Sequence, residues 1–370
     1  MTSITSNKHL AGLDHLRSLA IIMVFAFHFG RIFPHPDWLK QISNFGWTGV
    51  DLFFVLSGYL ISSQLFANIA THGGFSFQAF FVKRFFRIVP PYLIVVAIYF
   101  LFPYAREKDG LAPLWKFLSF TQNFNLNLQT QSSFSHAWSL CVEEQFYLLL
   151  PLVLCGLLYF RMLKQGYWLL LTLFLGGFFI RLYSYQSMIM PNIGQDDVWF
   201  LWYQWIYYPS YCRLDGLLAG IAIAALLHYK PGFGLKISQH GNLLILLSLL
   251  ILISASFLCT NQKSLAASVF GFPLISVGYG VLVLAALTPS SVLFKREFKI
   301  SHYLAALSYP MYLVHKFVIH ITQDQFSKFN LEKASTTMFL LCILSTLCAA
   351  TMMHLLVEKP FLKLRNRICQ

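Results

Sequence analysis

The sequence predicts an all-α membrane protein, a polytopic bundle of about ten transmembrane helices with both termini in the cytoplasm. Of the 370 residues, 57% are hydrophobic and 11% are charged, and the mean hydropathy is +0.62. A soluble domain has roughly 25% charged and 45–50% apolar residues. Apolar runs of about 20 residues recur along the whole chain, and each is long enough to cross a bilayer.

Ten apolar runs are the predicted spans. Pro90-Pro91 and Pro209 are placed at helix starts, where the missing N–H costs little. Pro310 falls inside the ninth span, where a transmembrane helix tolerates proline. We therefore interpret residues 1–370 as a single membrane domain. The predicted spans are 17–33, 47–67, 88–104, 137–160, 167–187, 209–228, 243–259, 267–288, 306–322 and 336–357.

The positive charge follows the predicted topology. The net charge is +13. With the N-terminus in the cytoplasm, 16 Lys and Arg residues fall on the cytoplasmic side and 8 on the opposite side. This asymmetry is the one expected of membrane proteins. The basic balance therefore indicates orientation in the membrane, and no nucleic-acid partner is expected.

Arg17 and His28 are the first candidate functional residues. They lie eleven residues apart in one apolar helix, so about 1100° of rotation returns them to nearly the same face. A rise of about 16 Å carries His28 towards the middle of the membrane. A histidine there can act as a general acid or base. The alternative is a core histidine that is hydrogen-bonded to a neighbouring helix.

Asp51 opens the second span beside Gly49. An ionisable group inside a bilayer is expensive and is by default a functional hypothesis. The alternative is a carboxylate that stabilises the positive end of the helix dipole.

Lys83, Arg84 and Arg87 form a basic cluster before Pro90-Pro91. Arg84 and Arg87 share a helix face because they are three residues apart. Such a pair could bind the phosphates of a nucleotide-like donor such as coenzyme A. The alternative is an anchor at the cytoplasmic surface.

Glu143 and Glu144 are adjacent carboxylates near the start of the fourth span, in the segment 136–147. Adjacent helix positions point about 100° apart, so the two side chains are expected to have different roles. One of them could face the bundle and orient a histidine. A surface cap explains one glutamate better than it explains both.

Three further ionisable features lie within or beside later spans. Arg213 and Asp215 are interpreted as a local charge pair. His315 is interpreted as a helix contact and follows Tyr312 in the ninth span. Lys316 is expected to extend its amine towards the membrane surface.

Six motifs in chain order resemble the membrane acyltransferase 3 family, whose members O-acylate surface polysaccharides, lipopolysaccharide and related molecules. The resemblance extends from residue 12 to about residue 364. Some relatives carry an additional periplasmic SGNH-type esterase domain, which we do not expect in this chain. The matching segments are Arg17 with His28, residues 49–58, Arg84 and Arg87 with Pro90, residues 138–147, residues 308–315 and residues 358–361.

The resemblance implies that acetyl-CoA, or a similar acyl-CoA, approaches from the cytoplasm. Arg84 and Arg87 would hold its phosphates, and Arg17 would lie near the inner mouth of the site. The acceptor would be a surface glycan or glycolipid on the periplasmic side of a bacterial inner membrane. A separate periplasmic transferase is a possible partner.

The resemblance also assigns roles in catalysis. His28 would act as base for the acceptor hydroxyl or as a transient acyl carrier. Glu143 or Asp51 would orient or charge its imidazole, with Glu144 as a further catalytic candidate and no metal. The supporting residues are Ser139, Tyr147, Arg213, Tyr312 and His315.

Two rival interpretations stay open at this stage. One is a membrane-bound O-acyltransferase of the unrelated His/Asn type. The other is a transporter or flippase for a lipid-linked sugar, in which His28 and the carboxylates relay protons. Labelling that depends on acetyl-CoA would separate an enzyme from a transporter.

Overall fold

The protein is a helical membrane bundle, seen here in a computed structural model that describes residues 11–368. Nine helical segments in this range are long and apolar enough to cross a membrane. A tenth span arises if Asp215–Tyr229 and Pro231–Ile237, which meet at 101°, count as one broken span. The protein is therefore a multi-pass membrane protein, and each of the ten predicted spans overlaps one of these segments.

We number the ten long helices in chain order and leave the short ones unnumbered. The long helices are α1 (Ala11–Ile32), α2 (Gly49–His72), α3 (Phe77–Leu101), α4 (Trp138–Tyr159), α5 (Gly166–Ser184), α6 (Asp215–Tyr229), α7 (Gly241–Leu258), α8 (Phe272–Leu287), α9 (Lys299–Ser327) and α10 (Thr336–Met353). The short α-helices are Asp37–Ser43, Leu114–Leu118, Val198–Trp202, Pro231–Ile237, Val292–Lys295 and Lys359–Ile368.

The third span begins eleven residues earlier than predicted. The Ser76 hydroxyl caps α3 by accepting a hydrogen bond from the Ala79 amide at 3.2 Å. Pro90 and Pro91 therefore lie inside the helix, and the prediction that they start it is wrong. Pro209 also does not start a long helix, because α6 begins at Asp215. Pro310 lies inside the continuous α9, as predicted.

The central helices α1, α2, α8 and α9 are largely buried, whereas α5, α7 and α10 expose many apolar side chains. Glycines allow α2 and α6 to approach closely. A Cβ atom added at Gly58 would lie 2.2 Å from the Leu217 carbonyl oxygen, and one at Gly220 would lie 2.3 Å from that of Val55. Small residues are the usual means by which membrane helices pack backbone against backbone. This packing fixes α2, which forms one wall of the site below.

Candidate active site

An open pocket lies among five helices, α1, α2, α3, α4 and α9. It contains about 860 Å³ of space that protein atoms do not fill, part of it open to the outside. Eight of the twelve predicted site residues line it: Arg17, Arg84, Arg87, Ser139, Glu143, Glu144, Tyr147 and Tyr312. The remaining four lie in two other places: His28 contacts His315, and Asp51 pairs with Arg213.

The three pocket arginines are available to an anion. In the part of the chain that the structure describes, Arg17, Arg84 and Arg87 form no ion pair with a carboxylate. The Arg84 guanidinium donates to Gln64 Oε1 at 3.3 Å and lies 5.5 Å from the centre of the Tyr147 ring. Its contacts therefore leave donors free, and guanidinium groups pair well with phosphate.

Glu143 is held on the pocket wall by two hydroxyl groups. Ser57 Oγ donates to Glu143 Oε1 at 3.1 Å, and Tyr147 OH donates to Glu143 Oε2 at 2.9 Å. The sequence analysis expected Glu143 to orient the imidazole of His28. The structure instead gives Glu143 these partners, because its side chain projects from α4 into the pocket towards α2.

The second cluster consists of three histidine rings. His28 lies on α1, His136 on the 3₁₀ turn Ser135–Ala137 before α4, and His315 on α9. His28 Nδ1 is 2.8 Å from His315 Nε2, and the two rings lie with centroids 4.9 Å apart and planes inclined by 27°. The His136 ring lies 4.9 Å from that of His315 and 5.8 Å from that of His28. The partner of His28 is thus His315 rather than a carboxylate.

The burial of the three rings differs. His136 and His315 are buried, whereas His28 is half-buried. By distance and angle, neither ring nitrogen of His136 makes a hydrogen bond within residues 11–368, although the ring lies close enough to the Leu313 backbone to interact with it electrostatically. An unpaired buried polar group costs roughly 1–3 kcal/mol, so its presence here needs an explanation other than stability.

Tyr312 joins the pocket to the histidine cluster. It lines the pocket, and its ring lies 5.5 Å from that of His136 and 5.9 Å from that of His315. Its hydroxyl donates to the His136 carbonyl oxygen at 2.7 Å, so it accepts from the Ser139 hydroxyl at 2.5 Å. The arginine-lined pocket and the histidines therefore share one wall.

Lys316 points into the protein, and the prediction that it reaches the membrane surface is wrong. Its side chain is 3% exposed, and its Nζ lies 3.4 Å from Glu107 Oε1. It also donates to Ser135 Oγ at 3.3 Å. Glu107 accepts further hydrogen bonds from Tyr99 OH and the Phe134 amide. The pair thus ties α9 to the segment that carries His136.

Asp51 and Arg213 form a buried ion pair away from the pocket, at 2.8 Å. The guanidinium lies 4.1 Å from the centre of the Phe272 ring. Asp215 pairs instead with Arg181 at 2.7 Å, so the predicted local pair between Arg213 and Asp215 is wrong. These buried pairs link α2, α5 and α6 to the loop before α6, and the structure gives Asp51 no contact with His28.

His136 and Glu107 were not among the site residues predicted from the sequence. His136 stands two residues before the segment 138–147 that resembled the family, and a single histidine between a serine and an alanine carried no pairing signal. Glu107 lies in a polar stretch that reads as an ordinary loop. Lys316, a lysine within a predicted span that lacked a predicted partner, was the one sequence feature that could have indicated Glu107.

The fold and the site define a multi-pass helical membrane protein whose interior holds an arginine-lined pocket beside a histidine cluster. The chain belongs to the acyltransferase 3 family: the sequence profile of that family, described as an acyltransferase domain, matches residues 10–354.

Two bacterial relatives illustrate the similarity. The O-acetyltransferase OatA of Staphylococcus aureus is 26% identical over 378 residues, which cover 97% of this chain and 58% of the relative. The peptidoglycan O-acetyltransferase OatA of Listeria monocytogenes is 27% identical over 379 residues, which cover 97% of this chain and 56% of the relative. The chain thus spans less than three-fifths of the length of these curated relatives. No solved structure matches it.

Proposed function

We propose that this protein is a membrane-embedded O-acyltransferase that moves an acetyl group from acyl-CoA in the cytoplasm to a hydroxyl of a surface glycan across the membrane. The observation that carries the proposal is the position of Tyr312. It lies between a pocket whose three arginines form no ion pair with a carboxylate among residues 11–368 and a cluster of three histidines. Family membership and the relatives' printed names support the reaction class.

The pocket arginines bind the donor. Coenzyme A carries several phosphate groups, and arginine recognises phosphate through paired, charge-assisted hydrogen bonds. Arg84 and Arg87 approach from α3 and Arg17 from α1. The charge asymmetry of the loops supports an opening towards the cytoplasm.

His28 performs the chemistry by one of two routes. As a base, its free ring nitrogen takes the proton of the acceptor hydroxyl, whose oxygen attacks the thioester carbonyl carbon. The carbon–sulfur bond then breaks, and the departing thiolate takes the proton from the imidazolium. As a carrier, the ring nitrogen attacks the carbonyl itself and the thiolate departs. The acceptor hydroxyl then displaces the acyl group from the ring, and its proton passes to the released imidazole and from there to the thiolate.

His136 stabilises the oxygen on which negative charge develops. Its ring is buried next to His28, and neither of its nitrogens makes a hydrogen bond of good geometry within residues 11–368. A neutral imidazole carries one N–H that can donate to a carbonyl oxygen as it becomes an oxyanion. This role gives the unpaired polar group a function.

The acceptor class is inferred from the relatives. One of them is named as a peptidoglycan O-acetyltransferase, which supports a cell-envelope glycan hydroxyl, with lipopolysaccharide and other surface polysaccharides as the wider class. The corresponding location is the bacterial cytoplasmic membrane. The immediate acceptor in this proposal is the glycan itself or a periplasmic transferase that passes the acyl group on to it.

The test uses the purified chain in nanodiscs with radiolabelled acetyl-CoA and, in separate reactions, peptidoglycan fragments or a lipopolysaccharide extract. His28→Ala is the test variant. His228→Ala is the matched control, because His228 lies on α6 and contacts the rings of Phe66 and Tyr229 instead of the histidine cluster.

Label in one glycan with the wild type and with His228→Ala, but not with His28→Ala, supports the proposal and identifies the acceptor. Equal label with His28→Ala removes His28 from the mechanism. If none of the glycans is labelled, even after a periplasmic envelope fraction is added, the protein is not an acetyltransferase of this class and the transporter interpretation takes its place.

A further inference from the structure

We propose that His315 is a positioning residue that fixes the tautomer of His28, so that Nε2 of His28 is the nitrogen that reacts. The inference rests on the proposed function for its catalytic meaning, but its structural content can be measured in a protein that transfers nothing.

The first step is the orientation of the His315 ring. Its Nδ1 lies 2.8 Å from the Tyr312 carbonyl oxygen and 3.2 Å from that of Met311. A carbonyl oxygen can only accept a hydrogen bond, so Nδ1 carries the hydrogen. A neutral imidazole has one N–H and one lone pair. The lone pair of neutral His315 therefore lies on Nε2.

The second step is the contact with His28. His315 Nε2 is 2.8 Å from His28 Nδ1, and a nitrogen with a lone pair must accept. His28 Nδ1 therefore carries the hydrogen and donates. The remaining nitrogen of His28, Nε2, then has the lone pair, and it makes no hydrogen bond within residues 11–368.

The third step is the consequence for the reaction. The lone pair on His28 Nε2 can therefore remove the proton of a hydroxyl or attack a thioester carbonyl. When Nε2 gains a proton or an acyl group, the ring becomes positively charged. The bond from Nδ1 to His315 is then charge-assisted and stronger, so His315 stabilises the charged state. An orienting partner of this kind holds an imidazole in its productive tautomer in other enzymes.

Two variants separate this role from packing. In His315→Gln the side-chain amide oxygen can still accept from His28 Nδ1. In His315→Leu a side chain of similar bulk offers no acceptor. We expect His315→Leu to lower kcat about 10- to 100-fold, as loss of an orienting partner typically does, with the KM for acetyl-CoA unchanged. His315→Gln is expected to recover most of the lost kcat.

The direct readout is the ¹⁵N NMR spectrum of protein labelled at its 12 histidines, with the signals of His28 assigned by their absence in His28→Ala. The expected result is a protonated Nδ1 and an unprotonated Nε2 on His28 in the wild type and in His315→Gln. His315→Leu is expected to show a mixture of tautomers.

Protonation of His28 at Nε2 in the wild type overturns the inference, and so does a kcat for His315→Leu equal to that of the wild type. If His315→Leu does not fold, as judged by size-exclusion chromatography, the wild-type spectrum decides the question. A protein with the expected tautomer but without transferase activity overturns the proposed function alone.

Discussion

At the scale of single residues, the pocket arginines and His28 were the groups that sequence reasoning could name, because ionisable side chains within apolar runs are costly. Their partners could not be named. His315 is 287 residues from His28, and a contact across that separation depends on how two helices pack. Similarly, Arg17 and His28 share α1, yet Arg17 lines the pocket whereas His28 contacts the histidines.

Replacing a pocket arginine is predicted to weaken donor binding. Arg84→Gln or Arg87→Gln removes charge-assisted hydrogen bonds to phosphate, each worth about 1.5–3 kcal/mol, so the KM for acetyl-CoA should rise about 10- to 100-fold with little change in kcat. Steady-state kinetics in nanodiscs measures this. Lys83→Gln is the control, because Lys83 belongs to the same basic cluster but does not line this pocket. An equal rise in KM with Lys83→Gln would point to a general surface charge effect.

Replacing His136 is predicted to lower the rate and leave the fold intact. His136→Phe keeps an aromatic ring against Phe134 and Tyr312 and removes the N–H. Loss of one such donor typically costs about 10²- to 10³-fold in kcat. The midpoint of thermal unfolding in detergent should change little, because the removed nitrogens make no hydrogen bond of good geometry among the described residues. A large fall in that midpoint at unchanged kcat would show that His136 is structural.

At the scale of elements, α9 organises the site. Tyr312, His315 and Lys316 lie at positions i, i+3 and i+4 and so share one helix face. A helix was predicted here from the sequence, but its end was placed at residue 322. The structure extends α9 to Ser327, which leaves Lys316 eleven residues, or about 16 Å, from the helix end. That distance is too great for the Lys316 side chain to reach the membrane surface. Its charge is instead neutralised by Glu107, which is far away in sequence but in contact in the structure.

Breaking this buried pair is predicted to destabilise the protein. Lys316→Met leaves Glu107 without its cation and should cost about 3–5 kcal/mol, measured as a lower midpoint of thermal unfolding in detergent. The double variant with Glu107→Leu should be more stable than Lys316→Met alone, because the double variant buries no unpaired charge.

A lysine that directly follows α9 provides the control. Lys328 forms an exposed pair with Asp324 at 3.5 Å, and exposed pairs are worth about 0–1 kcal/mol. Lys328→Met should therefore leave the midpoint nearly unchanged. If the two lysine variants unfold at the same temperature, the buried pair has no special role in stability.

At the scale of the whole molecule, hydropathy predicted the helical bundle because length and apolarity alone decide whether a segment can span a bilayer. It failed at α3, because the Ser76 cap starts the helix at Phe77, and Pro90 and Pro91, which were expected to start it, lie inside it. Hydropathy also says nothing about which helices are central. That arrangement depends on glycines such as Gly58 and Gly220, where two backbones meet.

The orientation of the bundle is a prediction that follows from charge. In a background without the seven cysteines, Lys164→Cys and Lys236→Cys should react with a membrane-impermeant maleimide only when cells are opened. Lys263→Cys and Lys328→Cys should react in intact cells. All four side chains are exposed in the structure, so access depends on the side of the membrane. The reverse pattern would place the pocket arginines towards the outside and contradict a cytoplasmic donor.

The central claim is that acyl transfer crosses the membrane through the histidine cluster. The most direct measurement seals radiolabelled acetyl-CoA inside vesicles of defined orientation and supplies the glycan outside. We predict label on the external glycan with the wild type and none with His28→Ala. Label that appears only when donor and glycan share one side, or that persists without His28, would contradict the account.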